Sequence, residues 1–325
     1  MNLRFGTLDE VTDKSKTAVK QLFRTKTNVR YYILAVMIVA VWGSTFSATK
    51  VLESSGVSTP GTFFFRFLGA WILLLAMSFK HLWAKSLKDE LLLALTGVLG
   101  GTLYYWLQNT ALTMSQTTNV SFLMSFCPLI TIVLASLLFK DQKITRNILI
   151  GLAIALTGVG FVIFSGHHDL HLSPKGDALA LLAAASWACY SLLLRPLAGK
   201  YPSLFISRKT FFYGWISSAV LFAKQGLTAD ALLLGSNIPI LLNILYLTVF
   251  ASVFCYWAWG RVISNLGPVR SASFLYLDPF FSTLFSILFM NEIMTWRLAI
   301  GLVLIFTGVF VAQNKFFHGG EALLF

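Results

Sequence analysis

The sequence predicts an all-α, polytopic membrane protein with ten transmembrane helices. Three observations carry that expectation. Of the 325 residues, 57% are hydrophobic and only 12% are charged, too little polar material to cover a soluble domain of this size. The mean hydropathy is +0.75. The apolar residues gather into runs close to the roughly 20 residues with which a helix crosses a bilayer, while Lys and Arg collect between them.

Met1–Arg30 is polar and carries seven Lys/Arg, so it reads as a basic cytoplasmic tail, either interfacial on anionic lipid or disordered. The basic stretch is too long for a signal peptide, and Tyr31–Lys50 runs past any cleavage site. The apolar runs are Tyr31–Thr49, Gly61–Phe79, Leu91–Gln108, Asn119–Phe139, Asn147–Ser165, Ala178–Leu194, Phe211–Ala223, Pro239–Gly260, Val269–Met290 and Leu298–Asn314. Phe211–Ala223 is short, and a start near Leu204 would take Arg208 and Lys209 into its first turns. Twenty Lys/Arg fall on one side of these spans and four on the other, with Arg66 inside a helix. Both termini therefore belong in the cytoplasm, on the inner membrane of the cell. The formal net charge of +12 is spread through short loops and forms no nucleic-acid face. Cys127, Cys189 and Cys255 lie in apolar runs as packing residues.

The chain repeats. Trp42-Gly43-Ser44 … Lys50 matches Trp187-Ala188-Cys189 … Arg195 at an offset of 145, and Tyr105-Trp106 matches Tyr256-Trp257 at 151. Pro128 matches Pro279 at 151, and Gly151 … Thr157-Gly158 matches Gly301 … Thr307-Gly308 at 150. Five helices per half is an odd number, so the second half enters the membrane inverted. Many secondary transporters share that plan, with the site near the midplane between halves. The expected organisation is a tail (1–30), a first repeat (31–165), an extracytoplasmic linker (166–177), a second, inverted repeat (178–315) and a tail (316–325). Alternating access would then rock one five-helix half against the other.

Trp42-Gly43-Ser44-Thr45-Phe46, Arg66-Phe67, Leu277-Asp278-Pro279, the Asn291-Glu292 … Thr295 turn and the paired Thr-Gly blocks resemble the drug/metabolite transporter superfamily, EamA type. The resemblance covers roughly Tyr31–Asn314. It implies two inverted EamA repeats around a central cavity, exporting small metabolites, often amino acids or related compounds. The family commonly has Glu where Asp278 stands, and a Glu closing the fourth helix where this chain has Asp141-Gln142.

Asp278 leads the candidate residues, as an acid deep in an apolar run. It either exchanges a proton or pairs with a substrate ammonium, or it is a structural partner at the kink beside Pro279. Its repeat partner is Cys127, which also precedes a proline, so the two halves share the kink but not the charge. Arg66 either binds a substrate carboxylate, snorkels to the interface, or pairs with Glu53 or Asp278. Lys50 and Arg195 end the first helices of the halves as anchors or gate charges. Trp42, Trp187, Tyr190, Tyr256, Trp257 and Tyr276 are cavity candidates, with Thr45 and Asn119 as polar groups at depth. Tyr105 and Trp106 fit an interfacial belt instead. The His167-His168-Asp169 … His171 loop either binds a metal or is solvated. No HExxH, GxSxG or P-loop pattern occurs, and no cofactor is expected. The partners expected are a small-molecule substrate, membrane lipid and, for a coupled transporter, protons. An uncoupled facilitator or exchanger and a lipid-carrier flippase of the same fold stand as alternatives, with a membrane-embedded enzyme last.

Overall fold

The computed structural model describes residues 29–45, 48–49, 51–52, 54–79, 82–115, 117–141, 144–163, 173–222, 230, 233–235, 237–290 and 295–313. Regular structure among them is helical throughout. The helices are α1 (Val29–Thr45), α2 (Thr59–Met77), α3 (Leu87–Met114), α4 (Thr117–Met124), α5 (Cys127–Leu138) and α6 (Arg146–Ile163). They continue as α7 (Pro174–Ala198), α8 (Ser203–Phe222), α9 (Ile238–Leu266), α10 (Pro268–Ser273), α11 (Leu277–Met290) and α12 (Trp296–Gln313). Five of them, α2, α3, α7, α9 and α12, are long and apolar enough to cross a membrane by length and composition.

The helix ends follow from local chemistry. Ser58 caps α2 by accepting from the Gly61 amide at 3.0 Å, with Pro60 in the first turn. Ser86 caps α3, and Asp89 and Glu90 sit in its first turn, where the helix dipole favours acids. That cap starts α3 ahead of the apolar run, because Lys200 and Lys209 neutralise the two acids. Arg208 and Lys209 are likewise buried within α8, which begins at Ser203 rather than Phe211.

Two prolines interrupt helices in the same way. A proline ring excludes the carbonyl four residues before it. Ahead of Pro128 the helix opens into a turn at Ser125-Phe126, and ahead of Pro279 it tightens to a 3₁₀ turn, Phe274–Tyr276. Helix restarts at Cys127 and at Leu277, so Asp278 occupies the first turn of α11.

Two further interruptions are π turns, Val98–Thr102 in α3 and Leu247–Phe254 in α9. In the first, the Leu103 amide reaches back five residues to the Val98 carbonyl. Such a bulge widens the ladder and leaves a carbonyl for another donor.

The helices interleave across the two sequence halves. α6 and α12 run antiparallel, with Gly151 against Gly308 and Gly158 against Gly301. A Cβ on Gly151 would lie 2.5 Å from the Gly308 carbonyl oxygen, and one on Gly158 2.7 Å from that of Gly301. α3 lies on α8 through Gly97, Thr96 and Thr102. Thr96 bonds Thr210 at 2.7 Å, and Thr102 donates to the Gly214 carbonyl at 2.9 Å. α2 lies on α8 through Phe67 on Phe211 and the stacked Trp71 and Trp215 rings, 5.4 Å apart. α2 and α3 of the first half are thus fastened to α8 of the second.

At one end, the described ion pairs share a pattern. Asp89–Lys200 (2.7 Å), Glu90–Lys209 and Asp141–Arg195 each join an acid of the first half to a base of the second. The hydrogen bond from Lys200 to Asp89 holds the lysine amine above its ordinary pKa, so the pair stays charged at neutral pH. Opposite them the cross-half contacts use hydroxyls. Asp230 accepts from Ser58 Oγ at 2.5 Å, and Asp177 accepts from Ser115 Oγ at 2.7 Å.

Gly151→Leu should destabilise the fold by at least about 3 kcal/mol, because the new side chain meets backbone that cannot retreat. Gly235→Ala, which meets nothing within 4 Å, should leave stability unchanged. Thermal unfolding of the detergent-purified variants measures both.

Candidate functional site

An aromatic cluster fills the crossing of α1, α3, α7 and α9. Trp42 lies edge-on to Trp187 and to Trp259, each at 5.4 Å, and to Tyr256 at 6.2 Å. Trp187 in turn meets Tyr104 and Tyr190, both at 5.1 Å, and Tyr190 meets Tyr256 at 5.7 Å. Trp187, Tyr190, Tyr256 and Trp259 are buried, while Trp42, Tyr104 and Tyr105 are half-buried. Edge-to-face contacts of this kind suit the positive edge and negative face of each ring.

Hydrogen bonds fix the cluster to the two π turns. Trp42 Nε1 donates to the Ala251 carbonyl at 3.1 Å, and the Tyr256 hydroxyl donates to the Gly100 carbonyl at 2.8 Å. Ser186 Oγ donates to the neighbouring Leu99 carbonyl at 2.8 Å. Gly100 and Ala251 stand 151 positions apart, the offset of the Tyr-Trp and proline matches, and each is capped from the opposite half. Gly100 must be glycine, because a Cβ there would lie 2.4 Å from the Tyr190 ring.

Two charges border the cluster. Arg66 is buried on α2; its Nε donates to Ser252 Oγ at 2.5 Å in the second π turn, and its guanidinium lies 5.9 Å from the Tyr105 ring. Among the described residues it pairs with neither Asp278 nor any other acid. Glu53, the other partner expected, lies outside the described residues. Asp278 is half-buried and has no hydrogen-bond or ion-pair partner among the described residues. Tyr104 lies within electrostatic reach of both Asp278 and Arg66. Two neutral donors nearby are also unpartnered among the described residues, the Tyr276 hydroxyl and Trp259 Nε1, both buried.

The remaining expected residues divide. Thr45 returns its hydroxyl to the Trp42 carbonyl at 2.6 Å, and Ser44 bonds the Tyr246 hydroxyl. Trp257 stands apart from the cluster, half-buried under the Arg261 guanidinium at 4.4 Å. Its neighbour Tyr256 takes the inward position instead. Tyr105, read as an interfacial ring, stacks on Phe63 at 4.1 Å beside Arg66. Pro128 and Pro279 lie one turn beyond the helix interruptions they cause. Arg195 is held by Asp141 and by the Phe139 ring, 4.5 Å away. The Asn119 side chain, Lys50 and the His167–His171 loop lie outside the described residues. A cavity of about 490 Å³ lies between α1, α9 and α11, walled by Val41, Ser44, Val51, Tyr246 and Phe285.

Sequence reasoning missed Ser252 and the inward role of Tyr105. The π turns that aim them leave no local signature beyond the glycine pair Gly100-Gly101.

The apolar spanning helices, interleaved about a core of aromatic rings, are those of a multi-pass membrane protein, and the family and relatives that follow make it a transporter and not an enzyme. The chain belongs to the EamA-like transporter family, whose model matches residues 29–164 and 174–313. It is 28% identical over 304 residues to an Archaeoglobus fulgidus protein described as an uncharacterized transporter, covering 89% of this chain and 99% of that one. It is 25% identical over 188 residues to a probable amino-acid metabolite efflux pump of Salmonella typhimurium, covering 56% of this chain and 62% of the pump. A probable terminal-alkyne amino-acid exporter of Streptantibioticus cattleyicolor is 23% identical, covering 86% of this chain and 92% of its own length. A solved crystal structure at 18% identity shares the fold, with a TM-score of 0.70 over 88% of this chain and 96% of that one.

Tyr256→Phe leaves the Gly100 carbonyl without its donor and should cost about 1 kcal/mol of stability. Trp42→Phe should cost a similar amount at Ala251. Melting temperatures in detergent, compared with a Trp257→Phe control, read the difference.

Proposed function

We propose that this protein is a secondary transporter that exports small organic metabolites, amino acids or related compounds, across the cytoplasmic membrane by proton-coupled alternating access. The observation that carries the reading is the aromatic cluster, fastened to a π turn of each half and bordered by Arg66, which with Asp278 has no ion partner among the described residues. Organic substrates suit such walls, and lone charges at membrane depth mark substrate or ion pathways.

The proposed topology is ten helices in two inverted five-helix repeats, with both termini cytoplasmic. The glycine contacts of α6 and α12 support it. Exchanging each residue for its partner 150 positions away turns the Gly151–Gly308 contact into the Gly301–Gly158 contact, as a two-fold axis in the membrane plane requires. The three cross-half ion pairs lie on the face crowded with Lys and Arg, so they close the cytoplasmic end in this conformation. Opening that end requires them to part, while the α2–α8 and α3–α8 contacts stay together.

Asp278 is the proposed coupling group. A carboxylate in a low-dielectric site is costly when charged, and it gains by taking up a proton or a substrate ammonium. A group that gains in this way by losing its charge can alternate between states as the site opens to either side.

The cavity between α1, α9 and α11 favours a second reading, a lipid-carrier flippase. Val51, one of its walls, is exposed on the flank of the bundle, where an acyl chain can enter.

Asp278→Asn should abolish gradient-driven transport while the protein still folds and inserts. The check is flux of labelled amino acids in proteoliposomes under an imposed pH gradient. Wild-type flux in the Asn variant would remove the coupling role, and flux indifferent to the gradient would point to a facilitator. Scrambling of labelled lipid without amino-acid flux would favour the flippase.

A further inference from the structure

Arg66 is a buried cation whose surroundings, among the described residues, hold its charge but supply none of opposite sign. It is only 5% exposed. On the described basic face, Lys200, Lys209 and Arg195 each have a carboxylate. Arg66 has instead a hydroxyl at Nε, from Ser252, and an aromatic face, from Tyr105. A buried cation left without a counter-charge is costly. A hydroxyl partner offsets part of the desolvation, but leaves the charge itself uncompensated.

The geometry of the anchor matters more than its strength. Guanidinium is a planar fork whose donors point in fixed directions. Engaging Nε fixes the plane, and Tyr105, itself stacked on Phe63, restricts motion on one side of it. The Nη edge then remains as a pair of parallel donors, spaced for the two oxygens of a carboxylate. Tyr105 meets Tyr104 of the aromatic cluster, ring centroids 4.9 Å apart, so the fork borders that cluster. The anchor also crosses the halves. Arg66 comes from α2, while Ser252 comes from the π turn of α9, next to the carbonyl that Trp42 caps. A change in that turn therefore moves the fork together with the aromatic wall.

We infer that Arg66 is the carboxylate-binding residue of the transport site, with Ser252 as its positioning residue, and that a small carboxylate supplies the missing counter-charge during transport. The inference rests on the transporter reading and narrows its substrate to molecules bearing a carboxylate within reach of the ring cluster. Ser252 acts through Arg66 and need not touch the substrate. Its replacement should therefore change how tightly a carboxylate binds while leaving the maximal rate near that of the wild type.

The test uses the full chain in proteoliposomes, with the common amino acids as one probe set and their decarboxylated amines as the matched set. Wild-type protein should move at least one amino acid with a KM roughly 10- to 100-fold below that for its amine. Arg66→Gln should erase that preference, and Arg66→Lys, which keeps the charge but loses the fork, should retain only part of it. Ser252→Ala should raise KM for the carboxylate several-fold with kcat preserved, and Ser252→Thr should restore it. Should Arg66→Gln fail to fold, the Arg66→Lys and Ser252 variants carry the same comparison. Equal transport of acid and amine, or a preference that survives in Arg66→Lys and Ser252→Ala, overturns the anchor but leaves the transporter reading intact. Stabilisation of the protein by amino acids with no flux of any probe would sink the transporter reading and leave the binding site. A wild-type protein that neither binds nor moves any of the carboxylates refutes the anchor outright.

Discussion

The structure depends on two places where a membrane helix is allowed to be irregular. Inside a bilayer every carbonyl needs a donor, so a π turn is tolerated only where something else supplies one. Here the donors are aromatic side chains and a serine, and the aromatic ones cross between halves, Trp42 to Ala251 and Tyr256 to Gly100. The same bonds that satisfy the backbone therefore fix the rings of the site. Wall and scaffold are one network, and a change in either π turn is felt at the substrate position.

Charge is partitioned around that network in two ways. On the basic face, three acids of the first half are matched by three bases of the second. Asp141 and Lys200 sit near water, where exchange between protein and solvent partners costs little, whereas half-buried Glu90 and buried Lys209 are costlier to part. Within the bundle, Arg66 and Asp278 are held apart from ion partners among the described residues, although both reach Tyr104.

The glycine-lined contacts set what cannot move. α6 and α12 approach until backbone meets backbone, as do α3 and α8 around Gly97. In lipid, where apolar burial gives no drive for association, such close packing is what holds helices together. It also joins segments far apart in the chain.

Much of the site's raw material was legible in the chain. Trp42, Trp187, Tyr190 and Tyr256 came from repeat matching and depth, and the structure brings them together. Tyr105 and Trp257 exchanged places relative to expectation. Adjacent residues on a helix point about 100° apart, and a π turn a few residues upstream rotates the whole register. What the sequence by itself determined was the helical, membrane-spanning character and the internal repeat, because hydropathy, proline and glycine positions act locally and can be read one segment at a time. Only the tertiary structure decided which ring of each Tyr-Trp pair faces inward, that Arg66 is held by Ser252 and not by an acid, and which helices are welded. Those outcomes depend on the angle at which two distant segments meet, and that angle is set by both surfaces at once.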